Sequence, residues 1–116
     1  NNGKHTRDFT YIDDIIEGLY LATLRFKLIK KSKQKELYKI YNLSNGRPVK
    51  LISFINEIEK NLGIKSKKNF LPIQVGDVEK THGDISAIKK DLGFNPRVNY
   101  RDGIKNFISW YIKYKR

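Results

Sequence analysis

The apolar positions of the chain follow two rhythms. Ile12, Ile15, Ile16, Leu19, Ala22 and Phe26 recur at the spacing of one helix face, and Asp13 and Asp14 stand where carboxylates favour a helix N-terminus. Leu51, Phe54, Ile55, Ile58 and Leu62 repeat the pattern, predicting a helix over 51–62. Gly63 is its natural stop, whereas Lys50 is a poor N-cap. Ile85, Ile88 and Leu92 predict a short helix capped by Asp84 and ended by Gly93, and Ile104, Phe107, Ile108, Tyr111 and Ile112 predict a last one over 100–115. The second rhythm belongs to strands. Residues 7–12 (RDFTYI) are aromatic and β-branched, residues 38–43 (YKIYNL) alternate and read as a short buried strand, and residues 67–71 read as another.

Between these elements lie turns and loops. Ser44-Asn45-Gly46-Arg47-Pro48 and Asn95-Pro96 are turn chemistry, and residues 72–83 (PIQVGDVEKTHG) have no period and read as an ordered loop. A lysine-rich stretch over 27–37 breaks the first helical pattern and is expected to be a loop. The order is strand–helix–strand–helix–strand–loop–helix–helix, with no internal repeat. This is a small α/β unit of about four helices and short strands, one that would gain from packing against something larger.

Composition narrows the classes. The 116 residues suffice for one domain with a modest core. There are 24 basic against 12 acidic residues, a formal charge of +12, which raises a nucleic-acid-binding module as an alternative. The lysines are dispersed and accompanied by many Ile and Asn, as an A/T-rich coding sequence produces. The dense run at 27–35 (KLIKKSKQK) reads first as a solvated segment, then as a phosphate-tracking patch or a contact for an anionic lipid surface. The absence of cysteine excludes disulfides and thiolate zinc sites and favours an intracellular, cytoplasmic setting. No apolar run has the length of a membrane span. The lack of an initiator Met suggests a fragment.

The inventory for catalysis is poor. His5 and His82 are the only histidines, and no His-Glu-x-x-His, Gly-x-Ser-x-Gly or Gly-x-Gly-x-x-Gly pattern occurs. Asp13 and Asp14 are adjacent and point in different directions on a helix, so they read as caps rather than an acid–base pair. No metal set is visible. Arg7 offers a planar fork that can hold a phosphate, although a lone arginine reads first as a surface ion pair. Gln74-Val75-Gly76-Asp77 sets an amide and a carboxylate around a glycine. It could receive sugar hydroxyls or be a simple turn.

Taken together, several segments resemble a known family. RDFTYIDDI at 7–15 resembles the strand–helix junction of extended short-chain dehydrogenase/reductase enzymes, which include nucleotide-sugar epimerases and dehydratases. Tyr41-Asn42-Leu43 with Asn45-Gly46, NFLPIQVGD at 69–77, Asp84-Ile85-Ser86, Leu92-Gly93-Phe94-Asn95-Pro96, Gly103-Ile104 and Trp110-Tyr111 follow in that family's order. The likeness covers nearly the whole chain outside the lysine-rich stretch. It is greatest to UDP-glucuronate 4-epimerases, because Gln74 stands where the UDP-galactose branch usually has Arg.

The resemblance implies the carboxy-terminal, substrate-binding subdomain of such an enzyme, without its Rossmann half. It implies that Arg7 contacts the diphosphate of a UDP-sugar. Asp77 would hydrogen-bond the ribose with Gln74 beside it, Leu51 would pack near the base or ribose, and Phe9 would line the same cleft. Thr81 lies where some members place a substrate-contacting Tyr. It further implies NAD bound by the amino-terminal half, a Tyr-x-x-x-Lys catalytic pair in that half and a homodimer. A UDP-glucose 4-epimerase or sugar-nucleotide dehydratase is the alternative branch. Tyr111 and Lys115 have the spacing of the catalytic pair, but their place in the last helix makes the match a coincidence. No catalytic residue is expected in this chain.

Overall fold

The computed structural model of the chain describes residues 1–32 and 38–115. Four helices carry most of the ordered backbone: α1 (Ile12–Ser32), α2 (Leu51–Leu62), α3 (Ser86–Leu92) and α4 (Tyr100–Tyr114). Two short strands, β1 (Thr6–Arg7) and β2 (Val49–Lys50), pair antiparallel with Thr6 opposite Lys50 and Arg7 opposite Val49. A parallel bridge joins Thr6 to Lys80. The class is α/β, and among the described residues the four helices are those that the sequence predicts, whereas the strands differ.

Helix ends follow local chemistry. Lys50 provides no side-chain cap for α2, and the Leu51 N–H is instead donated to the His5 carbonyl at 2.9 Å. Gly63 closes α2 at φ 69°, and Gly93 closes α3 at φ 70°. Only a residue tolerant of the left-handed region can do this cheaply. Asn99 caps α4, its Oδ1 accepting the N–H groups of Arg101 at 3.0 Å and Asp102 at 3.1 Å.

Several expectations are corrected. The first strand covers Thr6–Arg7 rather than 7–12. Beyond Arg7 the backbone leaves the ladder, and the Asp8 N–H is donated to Thr81 Oγ1 at 3.1 Å. The expected loop over 27–37 is shorter at its start, because α1 runs through the first lysines to Ser32. Lysine is a good helix former, and no Gly or Pro interrupts residues 19–32. Residues 33–37 of that expected loop lie outside the described residues. Residues 38–43 form neither a strand nor a buried segment, with Tyr38 80% and Ile40 75% exposed. A strand needs a neighbour for its backbone, and among the described residues this segment has none. Side chains tether it instead: Tyr41 donates its hydroxyl to Asp91 Oδ2 at 3.0 Å, and Lys39 pairs with the same oxygen. These two donors, Lys39 first, hold the Asp91 carboxyl below its ordinary range. Residues 67–71 are likewise without a ladder.

Of the acids expected as caps, Asp84 serves the first turn of α3 from one position further out, and Asp14 does other work. Asp84 lies one residue before the N-cap position of α3, and its Oδ1 accepts the Ser86 N–H at 2.8 Å. Asp14 is buried, and it accepts the N–H groups of Arg97 at 2.9 Å and Val98 at 3.1 Å. It therefore fastens α1 to the loop entering α4.

The core is small. Phe94 and Ile88 are wholly buried, joined by Ile104 and Ile108 of α4. Phe94 packs under α1 at Gly18, where an added Cβ would stand 3.3 Å from its ring and 2.1 Å from Leu43. Helix α2 lies along α4. Much apolar surface stays uncovered: Ile12, Ile16, Leu19 and Phe26 of the α1 stripe, and Phe107, Trp110 and Tyr114 of α4, are each more than half exposed. The radius of gyration is 18.0 Å, against about 13 Å for a compact domain of roughly 100 residues.

Glu59 is the most deeply buried acid of α2. It accepts the Ser66 N–H at 2.8 Å and the Ser66 hydroxyl, and it pairs with Lys68 and Lys65. The Lys68 hydrogen bond, then those of Ser66, lower its pKa from 4.5 to about 2 against the opposing effect of burial. A depressed folded-state value gives stability that is complete above the unfolded value and is lost as pH falls through the folded one. The link between α2 and residues 65–68 is thus expected to weaken from pH 4.5 down to about 2. Glu59→Gln should show a smaller acid-induced loss of stability in urea melts over this window. An unchanged pH slope would assign the acid transition to other carboxylates.

Candidate functional site

The site forms where the segment 5–8 meets the loop 74–83. The Thr6 N–H is donated to the Glu79 carbonyl at 2.9 Å, and the Thr81 N–H to the Thr6 carbonyl at 3.1 Å. Asp8 adds a brace, its Oδ2 accepting the N–H groups of Gly46 at 3.1 Å and Gly83 at 3.0 Å. A Cβ on Gly83 would meet Ser44 Oγ at 2.1 Å and Ser44 Cβ at 2.7 Å, so glycine is required for this approach.

Arg7 projects from β1 onto the loop. Its guanidinium donates to Asp77 Oδ1 at 2.9 Å, and to the carbonyls of Thr6 at 3.1 Å and Glu79 at 3.2 Å. These bonds fix the fork while its side chain stays a quarter exposed. Asp77 closes a tight turn, its N–H donated to the Gln74 carbonyl at 3.2 Å with Gly76 at φ 85°. The Gln74 side chain is exposed at this turn. His5 reaches the other carboxylate oxygen, with Nε2 3.0 Å from Asp77 Oδ2.

The structure thus brings Arg7, Gln74 and Asp77 together. Thr81 is beside them, but its N–H and hydroxyl both serve the scaffold. The Leu51 backbone is held to His5, and its side chain lines a half-open cavity of about 290 Å³ with Gly3, Ile55, Phe70 and Leu71. Phe9 departs from expectation. Its ring stacks on Phe54 with centroids 3.8 Å apart and lines an apolar groove of about 330 Å³ between α2 and α4. None of Arg7, Gln74 and Asp77 lines that groove. Tyr111 and Lys115 do meet, Nζ lying 5.3 Å from the ring centroid, but they line neither space.

His5 and Asp8 are contributors that motif reading did not single out. Asp8 carried one signal: an acid beside Arg7 in a short extended segment needs partners when buried. His5 carried none, because its partner is remote in sequence.

Chemically, the cluster offers a fixed cation, a half-exposed carboxylate and an imidazole. It suits an anion carrying hydroxyl groups. Among the described residues, no group of three or more His, Asp or Glu side chains could hold a metal, and no helix is long and apolar enough to cross a membrane.

Residues 1–107 match the sequence profile of the GDP-mannose 4,6 dehydratase family. The chain belongs to that family. An uncharacterized protein of Methanocaldococcus jannaschii is 45% identical over 115 residues, covering 99% of this chain and 32% of the relative. UDP-glucuronate 4-epimerase 5 of Arabidopsis thaliana is 38% identical over 117 residues, covering 97% of this chain and 27% of the relative. The structure of UDP-glucuronic acid 4-epimerase from Bacillus cereus in complex with UDP-glucuronic acid and NAD superposes with a TM-score of 0.80 at 31% identity, over all of this chain and 34% of the other. The chain therefore spans about a third or less of the length of these relatives. The family-level resemblance carried by residues 7–15 and 69–77 is borne out, and the family includes nucleotide-sugar epimerases.

Proposed function

We propose that the chain is the UDP-sugar-binding, carboxy-terminal portion of an NAD-dependent nucleotide-sugar 4-epimerase, with UDP-glucuronate as the substrate. The observation that carries this reading is the Arg7–Asp77 pair, fixed by backbone carbonyls at an open edge. In this reading the fixed fork of Arg7 faces the diphosphate, and Asp77 accepts from a ribose hydroxyl with Gln74 alongside. Gln74, a neutral side chain where the galactose branch usually has Arg, supports the uronate branch over UDP-glucose epimerases and dehydratases. Leu51 would border the nucleoside through the adjoining cavity.

The residues of this chain do not fit NAD. A dinucleotide pyrophosphate needs a glycine-rich strand-to-helix turn, and none occurs in the sequence. The cofactor and the Tyr-x-x-x-Lys pair are assigned to the remainder of the enzyme, a Rossmann half that would also cover the apolar stripe of α1. A homodimer and a cytoplasmic location belong to the same proposal. What this chain supplies is nucleotide binding energy and orientation. These convert an encounter into a positioned reaction and lower the barrier only through geometry.

The test is a pair of titrations. The protein encoded by the whole reading frame containing this chain should bind UDP, and with NAD it should turn over UDP-glucuronate, while the chain alone gives no turnover. Turnover by the chain alone would place catalytic groups within it and refute the assignment. A lack of UDP binding, with steep salt-dependent binding to oligonucleotides, would replace this reading with the basic nucleic-acid module.

A further inference from the structure

We propose that Asn2 is a modification site, where the chain converts its own side-chain amide to a carboxylate without an enzyme. The proposal does not depend on the UDP-sugar reading. The chemistry is intramolecular. The main-chain nitrogen of the residue after an asparagine attacks the side-chain Cγ, ammonia leaves, and a succinimide ring closes. Water then opens the ring at either carbonyl. One opening gives aspartate, and the other gives isoaspartate, in which the main chain runs through the side-chain carbonyl. The reaction is favoured by a following glycine, because a Cβ there obstructs the approach. It also needs a nitrogen that no hydrogen bond holds and a side chain free to swing.

The sequence holds two Asn-Gly pairs, Asn2-Gly3 and Asn45-Gly46, and the fold treats them oppositely. Asn2 and Gly3 are the central residues of a turn closed by the Lys4 N–H on the Asn1 carbonyl at 2.8 Å. Both have positive φ, 48° and 76°, the pattern of a type I′ turn. The second central N–H of such a turn has no partner within it, and among the described residues the Gly3 N–H finds no acceptor. The Asn2 side chain is exposed. Asn45, by contrast, is 7% exposed, and its side-chain amide donates to the Val98 carbonyl at 3.0 Å. The Gly46 nitrogen that would attack it donates instead to Asp8 Oδ2 at 3.1 Å. Asn45 therefore reacts only from an opened state, and its rate falls with the population of that state.

The change at Asn2 falls where the chain is closely fitted. The Asn2 N–H is donated to the Leu71 carbonyl at 2.8 Å, and a Cβ on Gly3 would stand 2.9 Å from both Ile52 and Phe70. Gly3 also lines the cavity that Leu51 borders. Aspartate adds a negative charge to this turn, and isoaspartate adds a methylene to its main chain.

The experiment incubates the protein from the whole reading frame at mildly alkaline pH, folded and in denaturing urea. Peptide mapping by mass spectrometry follows both Asn-Gly pairs. In the folded protein Asn2 is expected to become acidic at least about tenfold faster than Asn45. In urea the two rates should agree within about threefold, because the protection of Asn45 is gone. Isoaspartate should appear at residue 2 beside aspartate. Asn2→Gln, whose longer side chain cannot close the same ring, should abolish the gain there and leave Asn45 unchanged. Equal rates in the folded protein, or a faster reaction at Asn45, overturn the proposal. A product at residue 2 without isoaspartate also overturns it, since direct hydrolysis would then replace the attack by Gly3.

Discussion

Arg7→Ala in the protein that contains this chain is expected to weaken UDP binding about 100-fold, the scale of truncating one partner of a charge-assisted contact. Three bonds from Arg7 hold its guanidinium against the loop, so the fork is aimed before any ligand arrives. A preformed contact spends little ordering entropy on binding. Arg7→Lys should recover only part of the loss, because an ammonium is a point charge without the planar fork. The fold should tolerate both changes. The Arg7–Asp77 pair is part-exposed, and such pairs contribute about 0–1 kcal/mol to stability. Calorimetric titration with UDP alongside thermal unfolding separates the two effects. Wild-type affinity in Arg7→Ala would remove Arg7 from the binding site, and a collapse of the melting transition would assign it to the fold.

The largest stability effect is expected at Phe94. It is completely buried, under α1 where Gly18 lets the backbone come close. Phe94→Ala should cost about 3–5 kcal/mol, the transfer energy of the ring plus the cavity left behind. Small domains hold only about 5–15 kcal/mol in total, and this core has few other members. The variant is therefore expected to be largely unfolded near room temperature. Phe94→Leu should retain much of the stability, since a leucine fills part of the same space. Urea unfolding followed by circular dichroism would measure both. A Phe94→Ala transition within 1 kcal/mol of wild type, set against that 3–5 kcal/mol expectation, would show that the site collapses without a void.

The elements that could be read from the sequence are those decided by near neighbours. Helix α2 shows both of its ends, because its stripe and Gly63 are local features. The start of α4 near Tyr100 was equally readable from its apolar stripe, although the Asn99 cap was not singled out. The length of α1 was hidden by charge. A lysine run looks like a break in periodicity although lysine favours helix. Residues 38–43 have the composition of a strand, yet pairing is decided by whatever lies beside them, which the segment itself cannot encode. The site divides in the same way. Arg7 and Asp77 stand out through the ordered likeness of 7–15 and 69–77 to one family. Their mutual ion pair, the Asp8 brace and the approach of His5 depend on how two distant segments meet. The placing of Phe9 was not readable, because an aromatic beside Arg7 can turn to either side of the segment, and here it stacks on Phe54 in the α2–α4 groove.

The bonds that fasten segment 5–8 to the loop 77–83 join distant parts of the chain. The separation is 70 residues for Arg7 to Asp77, 73 for Asp8 to Thr81 and 75 for Asp8 to Gly83. Closing so long a loop costs chain entropy before any contact compensates it, and folding slows as contacting residues grow further apart in sequence. Helices α2 and α4 need only their neighbours and can form early. The cleft is therefore expected to be the last feature assembled. A chain that loses its first eight residues would keep helices in its spectrum while losing every one of these fastenings.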